Sequence, residues 1–331
     1  MKYTKKHTAL LCAILLCILP CIMLSGCTQV TDGRDSIVCS SFILYDWVIN
    51  VLGEDAHSWD VHILGARGSD IHSYEPTVRD IALLSRCEVF VRIGGESETW
   101  AQDVIRSADN PHMTELSLCD ALSDELCSDG DENNSEDKHA HEHEGEAHHG
   151  HEHRYDEHIW FSPEYTYHSI AQIRDTLSEQ KPEMADAYRK NADYYLGTLR
   201  EIESEYKALA DKSERKNIVV ADRCPFLYLC EMMGLEYSAA FDGCSAESEA
   251  SFSVVSRLSR IIDDTGVGYV LVCESSDGRI ADAVISATKD KNAQVLTLNS
   301  FQSLSDGDIG DADFVSVLRD NLKVLKIALS K

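Results

Sequence analysis

The sequence predicts an α/β protein of two lobes, each with a parallel sheet flanked by helices, joined by a long rigid connecting helix. Short β-branched runs alternate with helical patterns from residue 36 onward, and the same alternation returns after residue 216. Residues 163–213 between the two series carry no strand pattern. Strands that alternate with helices form parallel sheets covered on both faces, so we expect one sheet in each lobe.

The N-terminal segment has the form of an export signal. Lysines at positions 2, 5 and 6 precede an apolar run from Ala9 to Leu24, as in a secretory signal peptide. The run closes on Leu-Ser-Gly-Cys27, which resembles a bacterial lipobox. We therefore expect residues 1–26 to be a signal peptide, Cys27 to carry the lipid anchor, and residues 27–35 to be a linker. An uncleaved helical anchor is the alternative, and both place the domain outside the cytoplasm.

The N-terminal lobe is predicted over residues 36–160, the connecting helices over 161–215, and the C-terminal lobe over 216–331. The connector includes an apolar stripe at helical spacing from Pro182 to Ala210, a helix about 43 Å long. A core helix of one lobe would show the same stripe. The predicted strands are 37–40, 59–64, 88–93, 217–220, 237–241, 268–273 and 294–298, and the predicted helices within the lobes are 44–52, 76–87, 226–233 and 249–264.

Charge and cysteine content limit the classes of partner. The net charge of −27 repels nucleic acid and attracts cations. Four of the twelve cysteines belong to the signal and the anchor, and the other eight contain no Cys-x-x-Cys pair. A zinc knuckle and a thioredoxin-like centre are therefore not predicted, and the spacing leaves the disulfide pairing open.

Residues 120–157 form an acidic, histidine-rich segment without apolar periodicity. Fourteen acidic residues stand against Lys138 and Arg154, so we predict a loop. Neutral imidazoles suit borderline ions such as Zn²⁺, and His-x-His spacing lets several rings reach one ion. We expect this loop to capture zinc more weakly than a preformed pocket would. Its histidines are His139, His141, His143, His148, His149, His151 and His153.

Two further histidines stand at the ends of predicted elements. His72 follows a strand and precedes a helix that starts near Pro76, and His158 lies directly before the connector. Open α/β sheets place ligands at the carboxyl ends of their strands. We therefore predict that both histidines line a metal pocket in the cleft between the lobes.

The segments around these histidines resemble the signatures of the zinc and manganese ABC-importer binding proteins. His72-Ser-Tyr-Glu-Pro resembles one ligand motif of that family, and Asp-Glu-His158-Ile-Trp-Phe-Ser-Pro resembles another. The resemblance covers nearly the whole mature chain. It implies two lobes on a rigid helix, Zn²⁺ in the cleft as the transported ligand, and a separate permease and ATPase as partners. The expected protein is a lipid-anchored extracytoplasmic monomer and not an enzyme.

The C-terminal lobe departs from the family pattern. Arg223 stands where many relatives have a histidine ligand, and a guanidinium cannot bind a cation. Asp222 is the nearest oxygen donor and is our predicted ligand. Asn299 stands where manganese-binding relatives carry an aspartate, and it is a weaker ligand.

A second source of ligands is the segment 243–249, where Glu247 is a candidate. Carboxylates there would also interact favourably with the start of the following helix, and the sequence does not separate these roles. Glu75 and Glu274 are expected to orient ligands without touching the ion.

Three other functions use the same residues. Manganese could replace zinc as the cargo, although the abundance of histidine favours zinc. A surface zinc buffer or adhesin would need no transport partner. A zinc hydrolase needs an open metal position and a general base, commonly as His-Glu-x-x-His, and the histidine pairs of the acidic loop lack that spacing.

Overall fold

The computed structural model describes residues 34–64, 71–122, 156–241, 243, 249–302 and 313–330. Residues 36–331 form one compact unit. Several predicted positions lie outside the described residues: the signal peptide, Cys27, Glu247 and the seven histidines His139, His141, His143, His148, His149, His151 and His153.

The first sheet has four strands in the order β2-β1-β3-β4. Strand β3 pairs in parallel with both β1 and β4. The strands are β1 (Asp35–Cys39), β2 (Trp59–Ile63), β3 (Val89–Arg92) and β4 (Thr114–Ser117), and the helices of this part are α1 (Phe42–Leu52), α2 (Val78–Leu84) and α3 (Ala101–Ala108). Thr77 and Asp80 form a capping box that starts α2 directly after the segment with His72.

Two helices follow the first sheet, and a second sheet follows them with the equivalent order β6-β5-β7-β8. Strand β5 pairs in parallel with β6 and β7, and β7 with β8. The connecting helices are α4 (Pro163–Gln180) and α5 (Ala185–Lys212). The second sheet has β5 (Asn217–Arg223), β6 (Glu236–Phe241), β7 (Tyr269–Cys273) and β8 (Gln294–Leu298), with helices α6 (Leu227–Met233), α7 (Phe252–Thr265), α8 (Arg279–Ala287) and α9 (Phe314–Ala328).

This architecture confirms the predicted fold class of two parallel sheets flanked by helices and joined by a long helix. Strand β4 was not predicted, because Thr-Glu-Leu-Ser is short and carries one apolar side chain at the edge of the sheet. Helices α3, α8 and α9 were also not assigned from the sequence.

Helix α5 is attached to both sheet regions. Tyr195 on α5 donates its hydroxyl hydrogen to Asp46 of α1 at 2.6 Å. Eleven residues later along the same helix, Tyr206 donates to the carbonyl of Leu318 in α9 at 2.6 Å. One buried apolar cluster includes side chains from β1 and β3, from α5, and from β5 and β7. The two halves of the molecule therefore share a core around α5.

The described residues also bear on membrane-spanning helices and on the state of the cysteines. No helix in the described part of the chain is long and apolar enough to cross a bilayer. The cysteines that the structure describes are all buried: Cys39, Cys87, Cys119, Cys224, Cys230 and Cys273.

Asp46 predicts a pH dependence of stability. Burial raises the pKa of this carboxyl from 3.8 to about 6, although hydrogen bonds from Tyr195 and Phe314 oppose the shift. The folded state therefore holds the proton more tightly than the unfolded state, and stability falls as pH rises from ~4 through ~6. Asp46→Asn removes this cost, so we expect the free energy of unfolding to rise by about 1–3 kcal/mol at pH 8.

Urea unfolding at pH 4 and pH 8 checks this prediction. The gain should disappear at pH 4, where the wild-type carboxyl is protonated in the folded state. Asp186→Asn, at a side chain that is 96% exposed, is the matched control and should change stability little at either pH. An equal effect of Asp46→Asn at both pH values would contradict the assigned cause.

Candidate metal site

The structure brings His72 and His158 together. His72 lies in the short helical turn Ile71–Ser73 after β2, and His158 immediately precedes the turn Ile159–Phe161 that leads into α4. Their Nε2 atoms are 3.3 Å apart. The side chain of His158 is fully buried, and that of His72 is 5% exposed.

Side-chain oxygen atoms hold the Nδ1 atom of each ring: a hydroxyl and a carboxylate for His72, and a carboxylate for His158. Nδ1 of His72 is 2.6 Å from Ser97 Oγ and 3.3 Å from Glu157 Oε1. Nδ1 of His158 is 2.5 Å from Asp156 Oδ1, which also accepts the backbone N–H of His158 at 2.8 Å. A neutral ring that donates from Nδ1 carries a free lone pair on Nε2. Both lone pairs therefore face one small region.

Glu157 is a buried carboxylate that remains ionised. Burial alone would raise its pKa, but hydrogen bonds from His72 and Ser97 outweigh burial and hold the pKa at about 2. Gly95 makes room for this carboxylate, because a Cβ at that position would lie 2.7 Å from Glu157 Oε2, and its φ of +92° also favours glycine. The carboxylate next to His72 fixes the orientation of the ring.

The C-terminal half contributes Gln302, which is 8% exposed. Its Nε2 lies 2.8 Å from Nε2 of His72 and also contacts Nε2 of His158. The same half approaches His158 at Gly243, where a Cβ would be 3.4 Å from the ring atom Cε1 and 2.9 Å from a backbone oxygen. Side chains from both halves of the molecule therefore meet at the histidine pair.

The separation of the histidines suits a tetrahedral ion. Two nitrogen ligands about 2.05 Å from a tetrahedral Zn²⁺ lie ~3.3 Å apart, and the two Nε2 atoms are 3.3 Å apart. Within the described residues, no group of three or more His, Cys, Asp or Glu side chains is arranged to hold a metal. The converging groups are two imidazoles and one amide.

The remaining predicted residues lie around this centre in different ways. Asp222 accepts backbone N–H groups of Arg223 at 2.8 Å and Cys273 at 3.3 Å, so its oxygens tie the ends of β5 and β7 together. Glu274 accepts from the backbone N–H and the hydroxyl of Ser300 at 2.7 and 2.8 Å.

Two other residues considered from the sequence lie apart from these contacts. Glu75 is exposed. Asn299 accepts the backbone N–H of Phe301 at 2.8 Å through its side-chain oxygen. The asparagine side chain therefore stabilises the turn that leads to Gln302.

Sequence reasoning did not select Ser97, Asp156, Glu157 or Gln302. Asp156 and Glu157 directly precede His158, and this adjacency was a usable signal for the partners of the histidines. Gln302 had no signal, because an amide in a loop is typical of many surfaces.

The family model described as zinc-uptake complex component A, periplasmic, matches residues 37–328. The chain belongs to this family. It is 27% identical over 323 residues to the zinc-binding lipoprotein AdcA of Streptococcus pneumoniae, covering 95% of this chain. It is 26% identical over 297 residues to the high-affinity zinc uptake system protein ZnuA of Bacillus subtilis, covering 88% of this chain and 87% of that protein.

The chain matches only part of some relatives, and its fold is similar to that of solved structures. The chain spans between 56% and 60% of the length of the streptococcal zinc-binding relatives that it matches. Among solved structures, the laminin-binding adhesin of Streptococcus agalactiae has a TM-score of 0.71 at 23% identity, over 89% of this chain and 100% of that chain. This similarity supports the two-sheet fold.

Proposed function

We propose that this chain is the extracytoplasmic substrate-binding subunit of an ABC importer and not an enzyme. It captures Zn²⁺ in the cleft between lobes 36–160 and 216–331 and delivers the ion to a membrane permease driven by a separate ATPase. Cys27 anchors it to the membrane. The main support is the pair of Nε2 atoms 3.3 Å apart, held by His72 and His158 at the spacing of two zinc ligands.

The chemistry of the ligands favours zinc over manganese. Imidazole nitrogen suits Zn²⁺, while Mn²⁺ prefers carboxylate, carbonyl and water oxygens. Gln302 contributes a neutral amide, and not a carboxylate, beside the two imidazoles. Relatives named for zinc binding and zinc uptake add support for this cargo.

Uptake of ⁶⁵Zn by a strain that lacks this chain tests the proposal. The full-length chain should restore uptake at nanomolar zinc, and Cys27→Ser should reduce uptake by releasing the protein from the membrane. Restored manganese uptake without zinc uptake would favour the manganese alternative. Zinc binding by the purified protein without any effect on uptake would favour a surface buffer or adhesin.

Two variants can identify the ligand from the C-terminal lobe: one removes the amide of Gln302, and the other removes the carboxylate of Asp222. We expect Gln302→Ala to weaken zinc binding about tenfold, because the amide contacts both histidines. Asp222→Asn tests the ligand predicted from the sequence and should have the smaller effect, since backbone N–H groups already engage both of its oxygens. Competition with a chromophoric chelator measures both affinities. A larger loss for Asp222→Asn would return the assignment to Asp222.

The histidine-rich segment is expected to store extra zinc without building the cleft site. Deleting residues 131–153 should lower the number of zinc ions bound per chain and leave a single tight site. Equilibrium dialysis with metal analysis gives the stoichiometry, and chelator competition gives the affinity of the tight site. Loss of the tight site on deletion would mean that the segment supplies cleft ligands.

A further inference from the structure

The amide of Gln302 faces two hydrogen-bond acceptors. Ser97, Glu157 and Asp156 hold the Nδ1 atoms of the two histidines, so both Nε2 atoms present lone pairs. The Nε2 of Gln302 lies next to both of them. An amide nitrogen carries two hydrogens, so it can donate one to each imidazole. An amide oxygen in the same place would face two lone pairs and repel both.

We propose that Gln302 is a rotating amide. In the metal-free protein its NH₂ group donates to His72 and His158 and keeps both Nε2 atoms aimed at one point. When the ion arrives, the amide turns by about half a rotation and presents its carbonyl oxygen, which is the atom that can bind a cation. The inference rests on the proposed function, because it takes the two histidines as zinc ligands.

Ser300 and Glu274 supply the second reason for this rotation. The hydroxyl of Ser300 is 2.8 Å from Glu274 Oε1 and 3.1 Å from Gln302 Oε1. A hydroxyl has one hydrogen and cannot donate it to both oxygens. After rotation, the Gln302 NH₂ group faces the hydroxyl, which then accepts from the amide while it donates to Glu274. The metal-facing orientation therefore satisfies all three side chains.

The surroundings keep the amide in place during the turn. Ser300 is 1% exposed, and its backbone N–H is bonded to Glu274 Oε2 at 2.7 Å. The carbonyl of Ser300 accepts the indole N–H of Trp160 at 3.0 Å, two residues after His158. Because the backbone at Ser300 is tied down through both its N–H and its carbonyl, a change in the amide dihedral angle is sufficient for the exchange of nitrogen and oxygen.

The amide of Gln302 stabilises the metal-free site as well as the zinc-bound site. A glutamate at this position would bind zinc through a charged oxygen, but it would have no hydrogen to donate to the empty histidines. Glutamine therefore lowers the affinity that the site could reach and favours release of the ion. Gln302 therefore limits the affinity for zinc and positions the two histidine ligands.

Side-chain NMR of protein labelled with ¹⁵N-glutamine tests the rotation directly. The NH₂ signal of Gln302 is assigned by its loss in Gln302→Glu, and Gln102→Glu, a change of the same type at an exposed helix position, is the control. We expect the Gln302 protons to shift strongly upfield on addition of one equivalent of zinc, as they leave the imidazole nitrogens for a hydroxyl. An unmoved signal in protein that has bound zinc tightly would overturn the proposal.

Affinity and stability of Gln302→Glu provide an independent readout. We expect zinc to bind at least about tenfold more tightly, since a full charge replaces a neutral oxygen, while the melting temperature of the metal-free protein falls. Weaker binding in Gln302→Glu, or binding in Gln302→Ala as tight as in the wild type, would show that the amide does not turn toward the ion. Wild-type protein that binds no zinc in the cleft would instead refute the proposed function.

Discussion

Zinc affinity should fall by on the order of 10⁴-fold or more when His72 and His158 are both replaced by alanine. Protein sites with about four ligands bind zinc with apparent free energies of roughly 10–16 kcal/mol at pH 7. Removing two nitrogen ligands takes away about half of that energy, and each 1.4 kcal/mol is about a factor of ten in affinity. Competition with a high-affinity chromophoric chelator, on protein that lacks residues 1–27, measures the loss.

The control for this variant is a second pair of histidines in the same half of the molecule. His57 and His62 lie before and within β2, and His62 is paired with Asp60 at 3.0 Å. Replacing both by alanine should leave the affinity unchanged. Circular dichroism of the metal-free proteins checks that each variant folds. Tight binding that survives in the His72/His158 variant would place the zinc site elsewhere.

The carboxylates behind the histidines are expected to produce the second largest effect. Asp156→Asn and Glu157→Gln should each weaken zinc binding between about 10- and 100-fold, because a carboxylate fixes the orientation of a ligand ring and increases its basicity. For Glu157 the effect should be accompanied by disorder of the His72 ring, since Glu157 also holds Ser97 through its backbone N–H at 3.0 Å. Chelator competition gives the affinities, and ¹⁵N spectra of the histidine rings report the tautomers.

Two comparisons separate a carboxylate effect from general loss of charge. Asp175→Asn removes a charge from an exposed position that pairs with Arg174 at 2.7 Å, and it should not change zinc affinity. Ser97→Ala removes one hydroxyl between His72 and Glu157 and should cost less than Glu157→Gln. A loss of affinity in Asp175→Asn equal to that in Asp156→Asn and Glu157→Gln would mean that overall charge, and not ring orientation, controls binding.

The fold class could be predicted because its signal is repeated along the chain. The buried strands β1, β3, β5 and β7 read as β-branched runs, and each stands between helical patterns. Edge strands carry less information, since only part of their surface is buried. Strand β4 shows this, because its four residues include a single leucine among polar side chains.

Residue type and position coincide at two of the predicted ligands. His72 and His158 have the chemistry of zinc ligands and stand at the ends of recognisable elements, so the sequence selected both for one pocket. Their convergence to 3.3 Å depends on the packing of two loops that are 86 residues apart, which local patterns do not encode. Gln302 lies a further 144 residues from His158.

The second lobe shows that residue type alone does not determine which partners a side chain has. Asp222 is a good metal ligand by chemistry, but its oxygens are used by two backbone N–H groups at the ends of neighbouring strands. Gln302 is a poorer ligand by chemistry and lies at the histidines. The sequence carries the donor atoms of both residues, whereas the partners of those atoms are determined by the fold. Asp222 stays a prediction that the variant comparison above can decide.

Helix α5 affects how the molecule should unfold. Its 28 residues pack into the same apolar cluster as side chains from both sheets, so neither half can expose its inner face without exposing part of the other. We therefore expect a single cooperative melting transition, in contrast to proteins whose domains are joined by a tether. Zinc bound between two loops would then protect distant parts of the chain from local opening, including the far end of each sheet.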